Sequence, residues 1–332
     1  MTDRVGRHAA ARDLAETLIV PAQQAWPSDE ATAGPDPVPQ RSVGRHASGR
    51  AAVGNGHTSP GGSDQVPAPA PAPRPGPLSS DHQASAAARQ RRPLSNDRKL
   101  RLVWVYPDLL STYGDRGNLL VLSRRAELRG IEVEAIEVNS DEPVPSQGDI
   151  YLMGGGEDLP QILAANRLRQ DGGLARAADR GAVVFAVCAG YQMIGDSFGG
   201  VEGEPVAGLG ILDISSGRSD RRGVGELVAD VDPTLSVPRL TGFENHQGVT
   251  RIGSAARPLA RVSLGVGNGD GTEGAYAGKV LGTYMHGPAL ARNPGLADLL
   301  LSWAVGQLRP LEPDAEEWAG RLRAERLAAV EN

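Results

Sequence analysis

From residue 99 onward the chain alternates short apolar runs with stretches of helical period; before residue 99 it does neither. LRLVWVYP (100–107) reads as a strand that Pro107 ends. In DLLSTYGDRGNLLVLSRRAELRG (108–130), Leu119, Leu120, Leu122 and Leu128 repeat at helical spacing, with Asp115 placed to cap the helix and Gly130 to stop it. IEVEAIEV (131–138) alternates as a strand, and DIYLMGGGEDLPQ (149–161) is a strand that runs into three glycines before a helical stretch. AVVFAVCAGYQMIG (182–195) puts a buried-strand run directly before a short helix carrying Tyr191, Met193, Ile194 and Phe198. This alternation predicts an α/β fold, an open and mostly parallel sheet with helices on both faces, whose site lies beyond the carboxyl ends of the strands.

After residue 200 the pattern changes to short strands between turns: GLGILDI, GVGELVADVD, RLTGFENHQG, PLARVSLG and EGAYAG. They suit an antiparallel extension of the sheet. KVLGTYMHGP (279–288) is a further strand ending at His286, and PGLADLLLSWAVGQL (294–308) closes the fold as a helix. Asp314–Ala329 is polar and reads as a surface helix.

Composition divides the chain. Of thirteen aromatic residues only Trp26 precedes Trp104, so residues 1–98 lack the means to build a core and read as a disordered Pro/Ala/Gly-rich tail. Within it DLAETLIV (13–20) could form a transient helix, and Arg89, Arg91 and Arg92 form a short basic cluster that suits either solvent or a lipid surface. The expected organisation is a tail over 1–98, a domain over 99–309 and a C-terminal helical tail over 310–332. The net charge is −6, and the tail holds 11 Arg against 9 Asp and Glu, leaving −8 for the remainder, which is no nucleic-acid footprint. One cysteine excludes an internal disulfide and no apolar run approaches membrane-spanning length, so the expected compartment is the cytoplasm.

The one cysteine carries the candidate chemistry. A lone cysteine after an apolar run is usually a small buried hydrophobe. Cys188, however, sits where the strand must turn into a helix, with Ala186 two residues before and Gly190 two after, the small flanks that a nucleophile elbow requires. A helix N-terminus there favours the thiolate. Gly154–Gly156 lacks the endings of a phosphate loop and suits either an oxyanion hole or a tight turn. Four histidines, His8, His46, His57 and His82, lie in the tail; His286 follows a strand to the same sheet edge as Cys188, and His246 is read in a loop with a structural or substrate-rim role.

Cys188–Ala189–Gly190–Tyr191–Gln192 resembles the C-x-G-x-Q signature of class I glutamine amidotransferases, and Gly282–Thr283–Tyr284–Met285–His286 resembles their histidine strand. The resemblance implies the class I amidotransferase fold, Cys188 and His286 as catalytic residues, and Gly155 and Ala189 as oxyanion donors. Where most of that class carries a glutamate two residues after the histidine, this chain has Pro288, the pattern of the cobyric acid synthase-like branch, which works with a Cys–His pair. TYGDRGN (112–118), GFENHQG (242–248) and GTYMHGP (282–288) are together similar to the GatD-like glutaminase subunits of lipid II isoglutaminyl synthase. That family implies Arg222, beside Arg221, as ligand of the glutamine α-carboxylate, with Gln192 also on the substrate side. It implies L-glutamine as substrate, a MurT-like Mur-ligase subunit as partner, and lipid II as the acceptor held by that partner at the inner face of the membrane. No cofactor or metal is expected in this chain, ATP and magnesium belonging to the partner. For the carboxylate that would orient His286 the candidates are Glu244 and a residue of the partner, the partner being favoured. Rival readings are a glutaminase of cobyrinate or cobyric acid amidation, a non-catalytic ligase-docking subunit, and a cysteine hydrolase or peptidase.

Overall fold

A computed structural model of the chain describes residues 99–331; the readings made for residues 1–98 lie outside the described residues. The first half runs β1 (Leu100–Val105), α1 (Arg116–Glu127), β2 (Val133–Val138), β3 (Ile150–Met153), α2 (Asp158–Asp171), α3 (Gly173–Asp179), β4 (Val183–Val187) and α4 (Ala189–Met193). It continues through β5 (Ser197–Gly199), β6 (Pro205–Ala207), β7 (Ile214–Val231), β8 (Leu240–Ile252), β9 (Arg257–Leu264), β10 (Thr272–Ala277) and β11 (Val280–Thr283). Three helices follow: α5 (Ala289–Arg292), α6 (Pro294–Val305) and α7 (Pro313–Glu331).

The strands join one sheet in the order β2-β1-β3-β4-β11-β10-β9-β7-β5-β6, with β8 paired to β7. From β2 to β11 every neighbour is parallel, and beyond β11 the pairing is mainly antiparallel. The parallel half explains its own sequence. Leu100, Leu102, Trp104, Phe185 and Val187 face one layer with Leu119 and Leu122 of α1 and Leu296, Leu300 and Leu301 of α6. Val103, Val105, Val184 and Ala186 face the other, against Ala164, Ala165 and Leu168 of α2, Leu174 of α3 and Tyr191 of α4. Strands covered on both faces must be apolar at every position, which is why β3 and β4 read as unbroken apolar runs.

Beyond the elbow the structure departs from the sequence reading. Helix α4 ends at Met193, and Phe198 lies in β5 instead, because Gly195 N–H closes on Gln192 O and Asp196 N–H donates to Ile214 O, drawing the chain onto the sheet. The segments read as short strands between turns include two long ones, β7 of 18 residues and β8 of 13. Their glycines mark close approach instead of turns: a Cβ on Gly242 would stand 2.7 Å from Met285 Cβ, and one on Gly248 would stand 2.1 Å from Gln192 Nε2. His246 is therefore in a strand, not a loop. Asp115 stands at the N-cap position of α1 but makes no capping hydrogen bond, for a reason that the site supplies.

Candidate active site

β3, β4 and β11 end level with one another, since Met153 pairs with Ala186 and Thr283 with Val187, so the residues that follow them meet at one edge. Cys188 leaves β4 with φ 52° and ψ −107°, left-handed backbone that side chains rarely adopt. Its conformation is pinned from both sides. Cys188 N–H donates to Thr283 O at 2.8 Å, and Gly190 N–H donates to Gly154 O at 3.2 Å. A Cβ on Gly190 would stand 2.9 Å from Met153 Cβ, which is the crowding the small flanking residues relieve.

His286 comes off β11 and is held by β8. Its N–H donates to Phe243 O at 2.7 Å and its carbonyl accepts Phe243 N–H at 3.2 Å. The ring is fully buried, edge-on to Tyr113 with centroids 5.0 Å apart. Nδ1 lies 3.3 Å from Asp115 Oδ1, and Nε2 has no hydrogen-bond partner among the described residues. Burial opposes charge on this ring, but the Asp115 carboxylate and Cys188 outweigh it and push His286 up to about 10.

Asp115 corrects three expectations. Its side chain does not cap α1, because Oδ2 accepts the Gly155 N–H at 2.7 Å while Oδ1 faces His286. Gly155 N–H is therefore engaged by Asp115 in this structure and is not a free donor at the position expected for the oxyanion hole. What Gly155 supplies is space, since a Cβ there would stand 2.7 Å from His286 Cε1, 2.8 Å from Thr112 Oγ1 and 3.4 Å from Cys188 Cβ. The carboxylate that meets His286 Nδ1 among the described residues is Asp115, not Glu244. Glu244 accepts Val266 N–H at 2.7 Å, Gly267 N–H at 2.9 Å and sits 3.2 Å from His246 Nε2. Burial would raise its carboxyl, but these donors hold it below the usual range. Pro288, standing where the class has its glutamate, packs on Gly117, whose Cβ would lie 2.0 Å from Pro288 Cγ.

Beside Cys188 is a cavity of about 210 Å³ whose walls include Tyr113, Gly156, Ala189, Gln192, Arg222, Asn245 and His246. The structure thus brings together Cys188, Ala189, Gln192 and Arg222, while Gly155 and Arg221 do not line it. Arg222 Nε donates to Asn245 Oδ1 at 2.7 Å, and Asn245 Nδ2 donates to Tyr113 Oη at 2.6 Å, so a polar chain spans the mouth. Gln192 Oε1 accepts from Gln161 at 2.8 Å and its Nε2 donates to Tyr284 Oη at 3.2 Å. Under this floor His246 stacks on Tyr284 with centroids 3.8 Å apart, its Nδ1 3.0 Å from Gly248 O. Nearby Glu273 is fully buried; one oxygen accepts from Tyr284 N–H at 2.9 Å and from Thr283 Oγ1, the other has no partner among the described residues, and burial raises its carboxyl to about 7.

Asp115, Tyr113 and Asn245 escaped the sequence reading of the site. TYGDRGN held the clue, because Tyr113 and Gly114 both take positive φ, 55° and 79°, and so this segment is a tight turn that aims Asp115 inward before α1 begins. Among the described residues no group of three or more His, Cys, Asp or Glu could hold a metal, and no helix is long and apolar enough to cross a membrane.

Residues 101–294 match the CobB/CobQ-like glutamine amidotransferase domain family. The chain is 34% identical over 225 residues to the GatD subunit of lipid II isoglutaminyl synthase (glutamine-hydrolyzing) from Staphylococcus aureus, covering 66% of this chain and 90% of that protein. It is 32% identical over 216 residues to the GatD subunit from Streptococcus pneumoniae, covering 62% and 81%. With the cobyric acid synthase of Sphingopyxis alaskensis it shares 33% identity over 180 residues, covering 51% of this chain and 34% of that one.

Proposed function

As a member of the CobB/CobQ-like glutamine amidotransferase family this chain is a glutamine-hydrolysing enzyme, and we propose that it serves as the glutaminase subunit of a lipid II isoglutaminyl synthase. The carrying observation is the joint placement of Cys188, Ala189, Gln192 and Arg222 around one amino-acid-sized cavity, with His286 buried behind Cys188. The cobyric acid alternative fits less well, because the chain spans a third of that synthase but nine-tenths of the GatD subunit.

The chemistry follows from the groups present. Arg222 takes the α-carboxylate of glutamine, and Gln192 borders its side chain. The basic His286 ring accepts the thiol proton of Cys188, and the thiolate attacks the carboxamide carbon. Charge then grows on the carbonyl oxygen. Ala189 N–H and Gly156 N–H, both at the cavity wall and neither bonded to an acceptor among the described residues, are the donors for it. The protonated His286 gives its proton to the departing nitrogen, which leaves as ammonia, and a γ-glutamyl thioester remains. Water attacks the thioester with His286 as base, releasing glutamate and regenerating the thiol. A Mur-ligase-like partner, bearing ATP and magnesium, uses the ammonia to amidate the D-glutamate α-carboxyl of the lipid II stem peptide.

The test is amidation by the assembled complex with two nitrogen sources. Cys188→Ala should lose glutamine-dependent amidation and keep the ammonia-dependent reaction. Wild-type use of glutamine by that variant would refute the site.

A further inference from the structure

Free L-glutamine carries two charges on its α-carbon, and Arg222 answers only one of them. Arg222 reaches the cavity because residues 219–222 of β7 bulge out against Gln247 alone of β8, between the pairs Arg218–Gly248 and Gly223–His246. Its Nε is spent on Asn245, and its two terminal nitrogens have no acceptor among the described residues, which leaves them for a carboxylate. The α-ammonium needs an anion in turn. The carboxylates on the cavity wall are Glu157 and Asp158, where α2 begins.

Of the two, Asp158 is the better placed. It shares a face of α2 with Gln161, three residues on, whose amide donates to Gln192 Oε1 at 2.8 Å and to Ala189 O at 3.3 Å, so this face of the helix meets the floor beside Cys188. Glu157 precedes the helix and is exposed. Arg218, also on the cavity wall, donates to Asp158 Oδ2 at 2.9 Å, which fixes the carboxylate and leaves Oδ1 without a donor among the described residues. The charges of Glu157, Asp158, Arg218 and Arg222 sum to zero, which suits a ligand that is itself neutral overall.

We infer that Asp158 is a specificity-determining residue of this site, its Oδ1 accepting from the α-ammonium of L-glutamine while Arg222 takes the α-carboxylate. The inference rests on the glutaminase reading above. With the carboxamide held at Cys188, the three attachments define one hand of the α-carbon. A ligand without the ammonium loses one of them. Asp158 thus selects the free amino acid over simple amides and over glutamine residues inside a peptide, whose α-nitrogen carries no charge.

The experiment measures steady-state ammonia release by the full chain as wild type, Asp158→Asn, Arg218→Ala and Cys188→Ala. Two substrates are compared: L-glutamine, and glutaramate, which is glutamine without its α-amino group. Asp158→Asn should raise the KM for L-glutamine about five- to thirtyfold and hold kcat within about threefold, since a charge-assisted contact that is partly open to solvent is lost from ground state and transition state alike. For glutaramate kcat/KM should stay within about threefold, so the preference of the wild type for L-glutamine shrinks. Arg218→Ala separates the contact from its support. Its KM for L-glutamine should change by less than about threefold, whereas a loss equal to that of Asp158→Asn would make Asp158 a mere anchor for Arg218 and overturn the inference. An equal loss toward both substrates in Asp158→Asn would overturn it too. An unchanged KM in Asp158→Asn, with Cys188→Ala inactive, would also overturn it and leave the glutaminase reading intact. Release of ammonia from L-glutamine by Cys188→Ala would overturn the reading itself. Should Asp158→Asn fail to fold, Asp158→Ser takes its place under the same criteria.

Discussion

Two histidines in this protein sit against buried carboxylates at nearly equal distance, His286 at 3.3 Å from Asp115 and His246 at 3.2 Å from Glu244. Their second nitrogens separate them. His246 has a carbonyl, Gly248 O, on Nδ1 and lies stacked on Tyr284, so both nitrogens and one ring face are committed. His286 keeps Nε2 without a hydrogen-bond partner among the described residues, beside the only cysteine in the sequence. A buried nitrogen left unpaired costs stability, a cost that points to a role in chemistry, whereas a satisfied one is architecture. The pairing alone, which both share, would not have told a base from a brace.

Exchanging the two histidines for alanine tests that contrast most directly. His286→Ala should lower the glutaminase kcat by about 10²- to 10⁴-fold, the usual worth of a placed acid and base. His246→Ala should act on the fold, destabilising it by about 1–3 kcal/mol because Glu244 Oε2 and Gly248 O lose the ring nitrogens that meet them. Denaturant melts and steady-state kinetics on both variants check this. A hundredfold fall in kcat for His246→Ala at intact stability would make it a participant.

Glu273 sharpens the comparison, because its hydrogen bonds go to Thr283 and Tyr284 and none to a histidine among the described residues. Its folded value of about 7 lies above the ordinary 4.5, so the folded state keeps its proton where the unfolded chain has lost it. Stability should then fall as pH rises from 4.5 to 7 and change no further from this group above that, by up to about 3 kcal/mol at 1.36 kcal/mol per unit. Glu273→Gln should flatten that slope in unfolding curves measured at pH 4.5, 5.5 and 7. An unaltered slope would place the titration elsewhere.

The smallest effect concerns the mouth of the site. Arg222→Ala should raise the KM for glutamine about ten- to a hundredfold with less change in kcat, as loss of one charge-assisted pair to a carboxylate predicts. Arg221, exposed and away from the cavity, is the control whose replacement by alanine should leave KM unaltered.

What could be read from the sequence follows from how local each signal is. The parallel half was legible because strands covered on both faces need apolar residues throughout, and a cysteine between Ala186 and Gly190 admits few backbone conformations other than an elbow. His286 was legible because it is the histidine that follows a strand of this sheet. Asp115 was not, since it is 171 residues from His286 and its place beside Gly155 depends on two positive-φ residues in the preceding turn. The length of β7 and β8 was hidden for a related reason. Their glycines, which in isolation signal turns, make room for Met285 and Gln192 across the sheet. Gly155 shows the same ambiguity at the site: a glycine that could free an N–H for substrate instead admits a neighbouring ring.

Cys188 is held at φ 52°, a conformation that suits glycine and strains any other residue. The proposed nucleophile thus stands at a position where the native residue is a poor fit to its own backbone. A search for heat-resistant variants that scored folding alone would be drawn toward glycine there, and each step of that gain would be measured in a protein that had lost its proposed nucleophile.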